Sequence, residues 1–547
     1  MLYAAGATGN GAGATALLPA PASTAEDGTF SLAGLTCPTA ATQVYAVARG
    51  GNPGLVAGTA NPALTFVSAL GDCSSLTATS TLLLNERTTA AAAWALARFA
   101  APGAILGATS TNANGLRNAF LVTANLVDSS TGAAPGPTLP AGAIAPTPRL
   151  NTLANALYAC AHSDGGSACA PLLAAAGDAT NTFDAALAIV RHPAANVAAT
   201  FAAASPSGPF QPALPAAPAD WSLPVTYTTG GLNLPGGLAV DSTGNVWVAN
   251  YFGGAASRFS PTGQPSTFAG GGLHESYEVA VDPDDNAWFT NQESTSSAIN
   301  GGAGSLTRLS PTGQVLSGTG FVAGGIYFPQ ALAADTNGNI WVANFGSSSA
   351  SLLSSSGAAI SASGAYAASA IPFTSAVAVD AHHNAWFAAQ REVVRVAPDG
   401  TYSTFPCCNN PTGIAVDSSG FVWVADYTLS TLFELTPSGT VVHTAAGSGG
   451  LSSPNSLAID GQGTIWTTNY HGNSVTAVSG SGSSSPATPL SGSRGLGSDA
   501  GLNAPYGLAV DASGNLWVSN SGNNTLTQFV GLAEPVRTPV LGPASAP

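Results

Sequence analysis

The chain has no lysine: all twelve of its basic residues, among 547, are arginine. Charged residues make up only 7% of it, and the net charge is −15. Without a basic stripe, and without aromatics interleaved among basic residues, nothing neutralises a phosphate backbone, so no nucleic-acid partner is expected. No apolar run reaches roughly 18 residues free of charge or proline, so no membrane span is expected. No secretory leader is visible; Met1-Leu2-Tyr3-Ala4 reads as the tail of a strand, as if the start were truncated. Six cysteines are present, none at the CxxC spacing of a zinc site. An even count suits disulfides in an oxidising compartment, with Cys37–Cys73 and Cys160–Cys169 as the expected pairs. Adjacent Cys407-Cys408 forms a strained ring, two thiols or a reversible redox pair, the ring being the preferred reading. A surface of Ser, Thr, Asn and Gly fits a secreted, periplasmic or cell-surface protein, taken as a monomer.

What is there is a repeat. An Asp recurs at 241, 282, 335, 380, 417, 460 and 511, and a Trp always follows it six residues later, at 247, 288, 341, 386, 423, 466 and 517. An Ala stands two residues before each Asp. The Trp residues are on average 45 apart, the period of a β-propeller blade. Each copy reads as four short strands. The Asp carboxylate caps the first turn, and a residue with φ > 0 stands three positions on. That residue is Gly in five copies, Asp285 in one and His383 in another. The pair His382-His383 is therefore turn chemistry rather than a metal site. The Trp is an inter-blade filler. Two segments compete to close the last blade: Pro224–Thr228 and Val536–Leu541.

The expected fold is mainly β. A seven-bladed propeller over 222–547 follows a small β-sandwich (1–82), an α-helical domain (83–205) and a Pro/Ala-rich linker (206–221). Gly28–Leu32 and Gln43–Val47 alternate as strands. The acidic-Gly-x-Phe strand at Asp27-Gly28-Thr29-Phe30 resembles carboxypeptidase-regulatory-like modules. Leu116, Phe120 and Val127, then Leu150, Leu153, Leu157 and Cys160, follow helical spacing. Asn181-Thr182 starts a helix, and His162 and His192 suit helix ends. Four or five helices are expected.

The pattern Gly-[Leu/Ile]-Ala-Val-Asp-x-x-Gly-Asn-x-Trp-Val-Ala-[Asn/Asp] resembles NHL repeats and the streptogramin (virginiamycin B) lyase-like propellers, over residues about 222–541. The resemblance implies a fold shared by lyases, lactonases and pure binding modules. It also implies that the residue after a recurrent Pro lines the channel mouth, where His, Asn or Asp serve catalysis or metal binding. Here those residues are Gly236, Tyr277, Gln330, Ser375, Thr412, Asn455 and Tyr506. None is His or a carboxylate, so no cofactor is expected, and a divalent cation only if the chain is an enzyme.

Glu278 stands beside this ring where other copies have Gly, Ala or Ser; it either needs a partner and a raised pKa or angles into solvent. A second ring follows the Trp by three and four residues and carries Tyr251, Phe345, Asp426, Tyr427 and Tyr470. Its Asn and Asp residues are read first as strand ends that bond local backbone. Its aromatics suit ligands with planar faces. His471 adjoins it, and His274, Glu275 and Glu293 lie nearby, Glu293 opening an insertion over Ser294 to Gly304. His443 reads as structural. The expected function is binding of a glycan, peptide or small molecule at this face by Tyr251, Tyr277, Gln330, Phe345, Thr412, Asp426, Tyr427, Asn455, Tyr470 and Tyr506. The alternative is a lyase-like or lactonase-like enzyme with Glu278 and His471 as catalytic groups. A structural or adhesive surface protein is a third reading.

Overall fold

A computed structural model describes all residues except 53, 57–58, 206, 294–303, 362–363 and 368. The expected insertion therefore lies, Gly304 apart, outside the described residues. The protein is mainly β and divides into two compact units. The first holds Met1–Val225 with 512–515 and 529–532; the second holds Thr226–Asp511, Leu516–Gln528 and Ala533–Pro547.

In the first unit, strands β1 (Leu2–Ala4), β2 (Thr15–Ala16), β3 (Gln43–Arg49) and β4 (Thr65–Asp72) form one sheet in the order β2-β1-β3-β4. Gln43–Val47 is a strand as expected. Gly28–Leu32 is not, because Thr29 donates its backbone N–H and its hydroxyl back to Asp27 and closes a turn. The segment that resembled a regulatory-like module thus lacks its strand. Nor do the described residues form a sandwich: the layer on β4 is helical. It comprises α1 (Glu86–Ala95), α2 (Ala113–Leu126) and, after α3 (Thr147–Ala161) and α4 (Ala170–Ala175), α5 (Thr182–Arg191). Ala90 to Ala93 of α1 are fully buried, and side chains this small let a helix lie close on a sheet. A sixth helix, α6 (Val197–Ala203), exceeds the expected number. Asn181 caps α5, its Oδ1 accepting from Asp184 N at 3.0 Å, and His162 and His192 cap the C-termini of α3 and α5.

Residues 207–221 are not a free spacer. Asn155 and Asn151 on α3 donate to the carbonyls of Phe210 and Pro212. A proline-rich segment has few N–H donors of its own, so helix amides satisfy its carbonyls. The disulfides are Cys37–Cys73, Cys160–Cys169 and Cys407–Cys408. They hint at an extracellular setting. No helix among the described residues is long and apolar enough to cross a membrane.

In the second unit each repeat copy forms one antiparallel sheet. The first runs Pro235–Val240, Val246–Asn250, Ala255–Phe259, Pro265–Ala269. The fourth and fifth copies also have four strands; in the second, third and sixth, the fourth segment makes only isolated bridges to the third strand. In the last, Pro224–Tyr227 supplies the fourth strand, and Tyr227 stacks on Trp517 with ring centroids 5.8 Å apart. The first strands of successive sheets touch one another, and that of the last touches that of the first. This is a propeller, with the small recurrent Ala side chains at its axis.

The other closing candidate, Val536–Leu541, forms no strand. The tail instead lies across the Asp end of the channel, where Val536, Pro539, Val540, Gly542 and Ala544 border a cavity of about 230 Å³. Thr538 Oγ1 donates to Asp241 O at 2.8 Å, and Glu534 N to Asp460 Oδ2 at 3.2 Å, so the tail is tied to two separate copies.

The recurrent Trp fills the space between sheets. Trp247 packs with Val279 and Phe289 of the next copy, Trp288 with Leu332 and Val342, Trp341 with Val379 and Phe387, Trp386 with Ile414 and Val424, and Trp423 with Ile459 and Ile465. In three copies the cross-strand partner is an arginine whose guanidinium covers the indole: Arg258, Arg308 and Arg395, at 5.2–5.5 Å from the ring centroids. Most of the indoles also donate to the Asp six residues back, Trp466 Nε1 to Asp460 Oδ2 at 3.0 Å. Trp423 Nε1 is buried without a partner. Trp423→Ala is therefore expected to cost about 3–5 kcal/mol in denaturant melts. Trp466→Phe should cost roughly 1 kcal/mol more than Trp423→Phe, because only the former takes a donor away from a buried carboxylate. Equal costs for the two Phe variants would show that the indole bond does not stabilise the fold.

Candidate functional site

At the end of the channel opposite the tail, six of the seven described inner strands start with an irregularity, while that of the fourth copy, Ala376–Val379, pairs without one. Pairing in the second copy jumps from Ser276 to Val279; similar jumps occur at Pro329/Ala331, Pro411/Gly413, Pro454/Leu457 and Pro505/Leu508. A bulge breaks the in–out alternation of a strand. It is why two consecutive residues, Tyr277 and Glu278, both reach the mouth.

Tyr277 sits 6.1 Å from Tyr251 and 5.5 Å from Tyr506, centroid to centroid, at interplanar angles of 83° and 87°. Tyr251, Tyr277, Tyr470 and Tyr506, with Leu234, Pro235, Gly236 and Ser521, line a cavity of about 200 Å³. The hydroxyls of Tyr277 and Tyr506 interact with each other, and further with the side chains of Gln330 and Asn455 respectively. Burial raises both phenols, most strongly that of Tyr506. Tyr427 adjoins this group through Tyr470, 6.1 Å away.

Behind Tyr506 lies a second cavity of about 150 Å³, lined by Glu278, Ser375, Thr412, Asn455 and Ser456 among others. Two of its hydroxyls tie neighbouring inner strands together: Ser375 donates to Pro411 O at 2.6 Å and Thr412 to Pro454 O at 2.9 Å. The Glu278 carboxylate crosses to the preceding inner strand and abuts Gly237, where a Cβ would meet it. It accepts only the N–H of Val279, at 3.2 Å, and no side chain among the described residues donates to it. Burial pushes its pKa up to about 8.

The structure separates the other expected partners. His471 lies against Ser453 (2.9 Å), Tyr427 and Tyr470, with no contact to Glu278. His274 Nδ1 is buried without a partner. Glu275 accepts from the Tyr251 hydroxyl at 3.5 Å, and Glu293 acts on Tyr251 through its charge. The proposed acid–base pairing of Glu278 with His471 is therefore not assembled.

Phe345 pairs with Phe373 at 5.6 Å, away from the tyrosine cavity. Asp426 is fully buried; its oxygens accept from the backbone of Asn409, Asn410 and Leu429, so it ends a strand and presents nothing to a ligand. His383, at φ 63°, reaches Asp335 at 3.3 Å, and His443 reaches Glu434 at 2.7 Å, both as structural contacts. Sequence reasoning did not assign Leu234, Pro235 or Ser521 to the site, although Pro235 is the recurrent Pro before Gly236 and Ser521 stands in the second ring four residues after Trp517; nothing marks Leu234. It named Glu275 without linking it to Tyr251.

Fold and site define a β-propeller with an aromatic mouth over a channel that holds one carboxylate. The chain belongs to the virginiamycin B lyase family, whose model matches residues 226–528. Solved structures similar to it include virginiamycin B lyase from Staphylococcus aureus, at 15% identity over 56% of this chain and 98% of that one, with a TM-score of 0.45. Another is a gluconolactonase from Xanthomonas campestris, at 15% identity over 56% and 89%, with a TM-score of 0.35. A third is the WD40 propeller domain of Doa1, at 12% identity over 56% and 94%, with a TM-score of 0.43. No curated protein matches the chain.

The raised Glu278 pKa gives a pH dependence. Between pH 4.5 and about 8 the unfolded chain releases this proton while the folded protein keeps it, so the unfolded state binds fewer protons and stability falls as pH rises. Glu278→Gln is always neutral and escapes this loss. Relative to wild type it should gain stability steadily across that window and level off above it. Urea melts at several pH values read the difference, and a flat difference would mean the carboxylate is solvated and ionised at neutral pH.

Proposed function

We propose that this chain is an exported binding module, a seven-bladed propeller over about 222–547 that holds a small ligand at its tyrosine-lined mouth. The carrying observation is the convergence of Tyr251, Tyr277, Tyr470 and Tyr506 on one cavity. Rings set nearly at right angles form adjacent walls of a box, and a box of amphipathic rings favours a compact ligand with an apolar surface. Catalysis of elimination or hydrolysis needs a positioned base with a partner that fixes or relays its proton. Glu278 is a lone carboxylate, and His471 is held elsewhere by Ser453.

A second reading follows from family membership and Glu278 together. A carboxyl protonated near neutrality is suited to act as a general acid, so opening of a cyclic ester at the mouth is the enzymatic alternative.

Tyr251→Ala combined with Tyr470→Ala is expected to abolish retention of whatever ligand wild type keeps from a panel of glycans, peptides and small metabolites. The circular dichroism spectrum should be unchanged, since neither ring belongs to an inter-sheet core. Turnover of a lactone or cyclic depsipeptide by wild type, lost in Glu278→Gln alone, would replace the binding reading with the enzymatic one.

A further inference from the structure

The tyrosine cavity is bordered by negative charge with nothing to balance it. Glu275 touches the Tyr251 hydroxyl at 3.5 Å, and Glu293 acts on the same phenol. Glu278 lies behind the opposite wall, where, once ionised, its charge acts on Tyr277 and Tyr506. None of the three forms an ion pair among the described residues. The whole chain carries −15, which draws cations toward it.

A sugar is a poorer match. Sugars need planar polar side chains free to meet their hydroxyls. Here neither Gln330 nor Asn455 lines the tyrosine cavity, and the neighbouring Asn250, Asn469 and Asn520 are buried pins between strands. What remains on offer is electron-rich ring faces and carboxylates. That combination recognises a cation too large and too weakly hydrated to want direct oxygen ligands.

We propose that the cavity takes an organic ammonium ion, of the size of a trimethylammonium head group, walled by Tyr251, Tyr277, Tyr470 and Tyr506 and neutralised by Glu275, Glu293 and Glu278. This rests on the binding reading of the same site and names its ligand class. Binding couples to the protonation of Glu278, which ionises as the cation arrives and releases its proton. The other titratable groups at the cavity are the four phenols and the carboxylates of Glu275 and Glu293. Affinity should therefore rise with pH up to about 8 and then level.

The test uses the full chain, titration calorimetry at low salt, and two probes of nearly the same shape: choline and its neutral isostere 3,3-dimethylbutan-1-ol. Choline is expected to bind about tenfold or more tighter than the isostere, a ratio of the size that cation–π and charge terms supply. Glu278→Gln should weaken choline by about tenfold, remove the proton release, and leave the isostere unchanged. Should Glu278→Gln fail to fold, Glu275→Gln with Glu293→Gln tests the same charge requirement at the exposed rim. Equal binding of the two probes, no binding of choline, or indifference to both sets of variants overturns the proposal. If the double tyrosine variant still loses a neutral ligand in the panel experiment, the binding reading stands without this one.

Discussion

One carboxylate per copy holds the repeat together. In the first copy, Asp241 Oδ1 accepts the backbone N–H groups of Thr243 and Asn245 and so closes the turn between the first two strands. Its Oδ2 takes the Trp247 indole at 3.4 Å; the equivalent bond in the second, fourth, sixth and seventh copies is 2.9–3.0 Å. A turn and a core are thereby fixed by one buried side chain. The two exceptions clarify the rule. Where Trp341 and Trp423 leave their indoles unpaired, the Asp335 carboxylate meets His383 and Asp417 Oδ2 accepts the Ser481 hydroxyl. The constraint is thus that the carboxylate be satisfied. The indole is its usual donor, and a neighbouring copy supplies another when the indole is not used.

That constraint is also why so much of the fold could be read directly. Asp, Trp, the glycine or its substitute, and the axial Ala are separated by fewer than ten residues, so their geometry is set locally and shows as spacing. His383 and Asp285 at positive φ follow from the same local rule. The misread regions depend on distant partners. Gly28–Leu32 alternates like a strand, but Asp27 captures Thr29 and no neighbour strand competes. The proline-rich stretch before Trp221 looks like a spacer until Asn151 and Asn155, more than fifty residues earlier, are seen to satisfy its carbonyls. The tail across the channel has no repeat signature at all.

The second ring shows how a site can be misassigned by composition. Asn in this ring donates through Nδ2 to hydroxyls five and seven residues on, as Asn469 does to Ser474 and Thr476 and Asn520 to Thr525 and Thr527. In the fifth copy the seventh residue on is Phe433, which accepts nothing. An amide there would leave a buried donor unpaired, and Asp426, acceptor-only, avoids that. The carboxylate that resembled a ligand group is a response to one lost hydroxyl. The tyrosines beside it differ, since nothing in the packing of a strand end calls for a phenol.

What departs from the repeat is therefore the more informative about function. Positions that all copies share serve closure, and the symmetric demands of closure are met by small residues at the axis. Glu278 breaks that pattern once, in a crowded position where its carboxylate lies against Gly237. Burying a carboxyl with a single backbone donor destabilises the folded protein, and nothing in the fold requires it. Its neighbours Tyr277 and Tyr506 are equally without counterpart in the remaining copies. The tail lies across the other end of the channel, so these residues face the tyrosine side. A costly, unrepeated group placed directly behind an aromatic wall marks the one sector of the ring that closure does not explain.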